Sequence, residues 1–306
     1  MSCEEMRFFV FHHNFSVVIM KNLLVLLLIS LLLYSCNDGD IIVTSFDFED
    51  VNLQTCKGAE SYVFFKINSA ATESISLRIS TTEELFLESS TITVSLNGTS
   101  NVVNYRNYDS EITSAYFCSA IPPVEPSVAA DYIGASGTAI LVTETVLNDN
   151  DGLEEDIMSN LDTDMDGLLN FFDLDDDGDN VPTALELGED PLNPRDSDGD
   201  GIKDYLDADD DNDGVPTRYE AGGDLDPITN VTDQTVGPDY LNPAVNTEVI
   251  IDEYRTHTYQ LSSDIRLSFS GLVLTNGEEE ITQESLDLGE QQNVEDRVIT
   301  ITPIVN

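Results

Sequence analysis

Between Asp162 and Glu186 the chain reads DTDMDGLLNFFDLDDDGDNVPTALE, with an aspartate at nearly every second position. Like charges set this closely repel, and few basic residues stand nearby to offset them. Such a stretch is either a solvated acidic tail or a site completed by a cation from outside. The spacing favours the cation. Asp162, Asp164 and Asp166 alternate, Gly167 follows, and Asn170 and Asp173 occupy the ninth and twelfth places counted from Asp162. This is the ligand order of a calcium loop. Side-chain oxygens come from places one, three, five, nine and twelve, a carbonyl from place seven, and glycine at six makes the sharp turn. Calcium takes about 6–8 oxygens at about 2.3–2.6 Å, so one short loop must wrap the ion.

The order restarts at once. Asp175, Asp177 and Asp179 take places one, three and five of a second loop, with Val181 at seven, Thr183 at nine and Glu186 at twelve. Asn180 stands where glycine is usual, and asparagine tolerates positive φ better than most residues. A shift of 34 residues lays DSDGDGIKDYLDADDDNDGVPTRYE over the first stretch, with 13 of 25 positions identical. The third loop is then Asp196, Asp198, Asp200, Gly201, Asp204 and Asp207. The fourth is Asp209, Asp211, Asp213, Gly214, Thr217 and Glu220. A fixed-period duplication marks a repeated structural unit. A partial unit precedes them, with Asp149, Asp151, Gly152 and Glu155, but Leu147 holds its first place. Asp176 and Asp210 fall outside the ligand order and read as surface charge.

An EF-hand needs a helix on each side of its loop, and loops that restart after 13 residues leave no room for one. The array, roughly Asn148 to Asp226, resembles thrombospondin type 3 repeats, the tandem aspartate-rich calcium repeats of many secreted proteins. That resemblance implies a chain wrapped around a row of Ca2+ ions, with little core of its own. Dockerins pair similar loops through helical connectors, which this spacing excludes.

The formal net charge is −47 over 306 residues, which weighs against nucleic acid as a partner, since phosphate binding needs basic patches. From Asn148 to Asp226 there are 28 Asp and Glu against 3 Lys and Arg. Such a segment expands without cations and compacts with them.

Near the N-terminus, MKNLLVLLLISLLLYSC (Met20 to Cys36) places one lysine before about a dozen apolar residues and a cysteine. The apolar run is short for a spanning helix and suits a signal peptide, with translation beginning at Met20. LYSC, Leu33 to Cys36, resembles a bacterial lipobox, which implies cleavage before Cys36 and lipidation of that residue. NDGD after it is similar to the export tether of surface lipoproteins in the Bacteroidetes group. The expected location is therefore the bacterial outer membrane, held by a lipid anchor. Cys56 and Cys118 remain in the exported part. In an oxidising compartment they can pair, the alternative being two independent buried thiols.

Both flanks of the array read as short strands rich in Val, Ile, Phe and Thr. Before it stand IIVTSFDFE, SYVFFKI, SISLRIS, TITVSL and GTAILVTETV; after it stand EVIIDEY, THTYQLS, IRLSFSGLVLT and RVITITPIV, with Asn97-Gly98 and Asn276-Gly277 as turns. The expected fold is mainly β, with immunoglobulin-like sandwich regions flanking, or interrupted by, a loop-rich repeat array. The divisions are 1–36 leader, 37–147 N-terminal β domain, 148–226 repeats and 227–306 C-terminal β region. The last either completes the N-terminal domain or stands alone. No catalytic constellation is visible, and His257 reads as a surface residue on a strand. The expectation is a non-enzymatic, calcium-binding lipoprotein whose array spaces or rigidifies β modules that bind a protein or glycan. A calcium-stabilised accessory of an extracellular hydrolytic system is the alternative.

Overall fold

The computed structural model describes residues 46–304, apart from 47, 122, 154–158 and 224. The leader, the lipobox, Cys36 and most of IIVTSFDFE lie outside the described residues. Eight strands form one antiparallel sheet: β1 (Gln54–Lys57), β2 (Tyr62–Ile67), β3 (Glu73–Ile79), β4 (Ser90–Ser95), β5 (Asn101–Tyr108), β6 (Val128–Asn148), β7 (His257–Thr275) and β8 (Glu280–Ile301). The order is β1-β2-β3-β5-β6-β7-β8, with β4 also paired to β6.

β6 organises this arrangement. Its first half pairs with β5 and its second half with β4, so two sub-sheets meet along one strand. The register slips between Gly134 and Thr138, a bulged stretch that bends the strand. Opposite, Gly137 carries φ +111, and a Cβ there would stand 2.8 Å from the Gly271 carbonyl oxygen. Only glycine allows this close approach. On β7 the buried positions run Leu261, Ser263, Ile265, Leu267 and Phe269, then change phase across Gly271 to Leu272 and Leu274. Strand side chains alternate, so one slipped residue moves the apolar set to the other face. The bend folds the sheet over one core. Phe64, Ile75, Leu77 and Val103 belong to the same buried cluster as Leu141, Ile265, Leu267 and Phe269. Each such side chain contributes about 1.5–3 kcal/mol of apolar burial.

The β-rich class is as expected, while the strands join in a single sheet instead of two separately hydrogen-bonded ones. The flanks are also not spaced apart by the array. β6 and β7 are neighbours, in register from Ile133↔Thr275 to Asn148↔Gln260. The repeats are an insertion between two paired strands, and a spacer between β modules is excluded by that pairing. Three local expectations also change. β5 and the polar first half of β8 carry weak strand patterning yet are strands. THTYQLS and IRLSFSGLVLT are one strand, β7. EVIIDEY is no strand, because Glu248 to Tyr254 runs back along the repeats towards β7.

Cys56 on β1 is bonded to Cys118, at the end of the helical turn Ala115–Cys118, with Cα atoms 5.3 Å apart. That separation suits a disulfide.

Candidate metal centre

All four loops, and the partial unit before them, share one backbone form. Place four has positive φ at Asn150, Met165, Gly178, Gly199 and Asn212. Place six has it at Gly152, Gly167, Asn180, Gly201 and Gly214. Asn180 therefore does adopt the turn usually left to glycine, at φ +73.

The aspartates hold this form by hydrogen bonds to the backbone two residues ahead. The place-three carboxylates of Asp164, Asp177, Asp198 and Asp211 accept from the place-five N–H groups at 2.9–3.3 Å. The place-five carboxylates of Asp166, Asp179, Asp200 and Asp213 accept from place seven at 2.7–2.9 Å. Place nine closes each loop on place two. Asn170 accepts from the Thr163 N–H at 3.1 Å, Thr183 from Asp176 at 3.1 Å, Asp204 from Ser197 at 2.7 Å and Thr217 from Asp210 at 3.2 Å. One helical turn then begins at place nine: Asn170–Phe172, Thr183–Glu186, Asp204–Leu206 and Thr217–Glu220. Pro182 and Pro216 precede two of these turns, with a φ near −60° that leads into them.

This division of labour gives the side chains at place nine a loop-closing role. The Asn170 amide bonds Thr163, and the Asp204 carboxylate takes Ser197 N–H, Ser197 Oγ and the Arg195 guanidinium. Both side chains staple their loops, and Asp204 has both oxygens engaged. At places three and five one oxygen serves the backbone. At place one Asp175 has both oxygens engaged, by the Asp179 and Asn180 N–H groups at 3.2 and 2.9 Å. The Oδ2 atoms of Asp164, Asp166, Asp177, Asp179, Asp211 and Asp213 are buried without a hydrogen-bond partner, as are both carboxylate oxygens of Glu186 and Glu220. Buried polar atoms rarely lack partners, and each one left so costs about 1–3 kcal/mol.

These oxygens cluster. Asp162, Asp164 and Asp166 form one group able to hold a metal ion, Asp175, Asp177 and Asp179 a second, and Asp196, Asp198 and Asp200 a third. Within each, the ligand atoms lie within 4.8 Å of one another. The third group is the most open: Asp200 is exposed, and Asp198 accepts from Asn212 Nδ2 at 2.8 Å. A further group joins the two duplicated units, combining Asp179 and Glu186 with Asp210. Asp210 is thus no surface charge. It is 2 % exposed, and Asp176 is equally buried. Place two carries no signal in the ligand code, so sequence reasoning passed over it. The clue was the Asp-Asp-Asp run in both units. Asp173 and Asp207, at place twelve, each accept the N–H of the next loop's first aspartate at 3.1 Å, which couples neighbouring loops.

Burial and mutual repulsion raise several of these carboxyls above the ordinary range. Desolvation is the main cause for Asp175, Asp177, Asp179 and Glu186. It also pushes Asp211 up to about 6, Asp164 to about 7, Glu220 to about 8 and Asp210 to about 9. Protons or a multivalent cation relieve this stress, and the hard oxygen donors fit a cation.

A fifth loop was missed by the ligand code. Asp239 accepts from Thr232 N–H and Oγ at 2.6 and 2.8 Å, the same link from place nine to place two, and a helical turn follows at Asp239–Leu241. Val231 and Thr235 replace the aspartates at places one and five. The repeated tripeptide Asp-Tyr-Leu at Asp204 and Asp239 was its only signal.

The segment after this loop docks the array. Asn180 Nδ2 donates to the Glu253 carbonyl at 3.0 Å, and Arg255 N–H donates to Asn180 Oδ1 at 2.8 Å. Arg218 donates to the Gly178 carbonyl at 3.2 Å and lies over the Tyr254 ring, 4.9 Å from its centroid. A Cβ on Gly178 would stand 2.8 Å from Tyr254 Cε1. His257, the first residue of β7, is fully buried, with Nδ1 at 2.6 Å from Asp173 Oδ1. The reading of it as a surface residue is overturned by this contact, which no local pattern encodes.

Searches of protein-family models, curated proteins and solved structures return no match to this chain. Among the described residues no helix is long and apolar enough to cross a membrane.

Proposed function

We propose that the chain is a non-enzymatic calcium-binding lipoprotein of the bacterial cell surface, anchored through Cys36, in which Ca2+ orders the acidic insertion against the β sheet. The observation that carries the reading is the set of buried, unpartnered carboxylate oxygens in loops of one repeated backbone form. They are hard oxygen donors, and adjacent carbonyls can complete an eight-fold or smaller shell, which suits calcium better than softer ions. The residues assigned to it are Asp162, Asp164, Asp166 and Asp173; Asp175, Asp177, Asp179 and Glu186; Asp196, Asp198, Asp200 and Asp207; and Asp209, Asp211, Asp213 and Glu220. Ordered in this way, the insertion becomes a rigid acidic surface for a protein or glycan partner, and binding energy becomes folding energy.

Calorimetric titration of Ca2+ into the chelator-treated chain tests this. The expected result is several ions bound at micromolar or tighter affinity, with a spectral change that Mg2+ does not reproduce. Asp164→Ala and Asp198→Ala should each weaken binding. Absence of saturable heat refutes the reading.

A cleft of about 590 Å³ lined by Asn52, Gln54, Glu290, Gln291 and Gln292 favours the accessory reading, because amide side chains suit hydroxyl-rich ligands. Saturable binding of one sugar class, lost in Gln291→Ala, would support it.

A further inference from the structure

We propose that Asp166, Asp173 and His257 form a separate site for a borderline divalent ion of the zinc class, at the junction of the insertion and the sheet. Their ligand atoms converge within 4.8 Å, with Asp173 and His257 buried. His257 Nδ1 makes a close ion-pair contact of 2.6 Å with Asp173 Oδ1, while its Nε2 is buried without a hydrogen-bond partner. A buried ring nitrogen left without a partner is itself rare.

The donor set separates this site from the loops. Calcium takes oxygen ligands, whereas imidazole suits zinc and its first-row neighbours. The other clusters named above contain carboxylates alone. Here two carboxylates and one imidazole leave a fourth position for water, the open form of a zinc site. Asp166 belongs to both this group and the first loop cluster. Its Oδ1 accepts from Leu168 N–H at 2.7 Å, while its Oδ2 is buried without a hydrogen-bond partner. An ion here clamps the twelfth residue of the first loop to the first residue of β7. Asp166 and Asp173 are also assigned to the first calcium loop, so the inference rests beside the calcium reading on shared carboxylates, and an imidazole in the metal shell is what tells the two apart.

The test uses the full chain with His12→Ala and His13→Ala, which leaves His257 as the sole imidazole. Zinc is titrated at saturating Ca2+, and the zinc shell is read by X-ray absorption. One zinc per chain that survives the calcium excess, with one imidazole in its shell, is the expected result. His257→Gln on that background should lower zinc affinity about a hundredfold or more, beyond the usual loss of an outer-shell partner, while the other loops keep their calcium. Absence of bound zinc, an all-oxygen shell, or unchanged affinity in His257→Gln overturns the proposal. Should His257→Gln fail to fold, the absorption spectrum of the parent decides. Zinc bound without any calcium binding would refute the calcium reading and leave this site standing.

Discussion

The sheet and the insertion are held together by opposite means. In the sheet, Phe64, Leu77, Leu267 and Phe269 are buried in one apolar cluster, and folding removes greasy surface from water. In the insertion, Asp175, Asp177, Asp179, Asp210 and Glu186 are buried as well, and folding brings like charges together. A hydrophobic core is complete in the chain itself. A carboxylate core is not, and on the proposed reading its stability belongs partly to the cation it holds. On that reading one polypeptide contains a part whose fold is set by sequence and a part whose fold is set by sequence and solvent jointly.

Removing the cation should separate the two most sharply. Chelation is expected to abolish amide protection from residue 162 to residue 220 while β2, β3 and β7 stay protected, as hydrogen exchange would register. Each site at 100 times its dissociation constant contributes about 2.7 kcal/mol, so several together exceed any single core substitution. Uniform loss of protection in both regions would erase the distinction.

Phe269→Ala comes next and strikes the other side. It should cost about 3–5 kcal/mol of sheet stability, measured by urea unfolding, with the same loss in Ca2+ and in chelator. A cost that depends on calcium would mean the insertion props up the sheet.

Asp210→Asn is expected to act with opposite signs in the two states. Without metal it removes a buried like charge and should raise the melting temperature of the insertion. With metal it should weaken calcium binding by about tenfold, or about 1.4 kcal/mol. Calorimetry in both conditions reads this; the same sign in both would exclude Asp210 from the centre.

The smallest effect concerns protons. Asp164, Glu220 and Asp210 are raised in the fold to about 7, 8 and 9, above the value near 4 of an unfolded carboxyl. The folded insertion then binds more protons than the unfolded chain, so metal-free stability should fall as pH rises from about 4 to about 9. In Ca2+ the trend should reverse, since protons compete with the ion for the same oxygens. Thermal melts at pH 5 and pH 8, with and without calcium, give the sign directly.

The backbone form of the insertion was the more legible of the two regions, because aspartate-rich turns with a left-handed residue at place six obey local rules. Asp at places one, three and five, with a left-handed residue at six, can be read without knowing where anything else lies. The sheet obeys longer rules. β8 has Glu284, Asp287, Glu290 and Glu295 along it and shows little apolar alternation, since it is an edge strand with one partner. What stayed hidden is what joins the regions. His257 and Asp210 join carboxylate clusters only through residues that lie distant in sequence. Ile251 and Tyr254 looked like strand residues because burial against the sheet and burial in the docking segment leave the same apolar pattern.

The pairing of β6 with β7 fixes how the molecule meets mechanical load. The insertion leaves and re-enters the sheet at adjacent strands, from Asn148 and to His257, that are hydrogen-bonded to each other along their length. Tension applied between the two ends of the chain passes from strand to strand through those bonds. The acidic loops hang outside that path and feel no pull until β6 and β7 part, so the sheet carries the strain before they do.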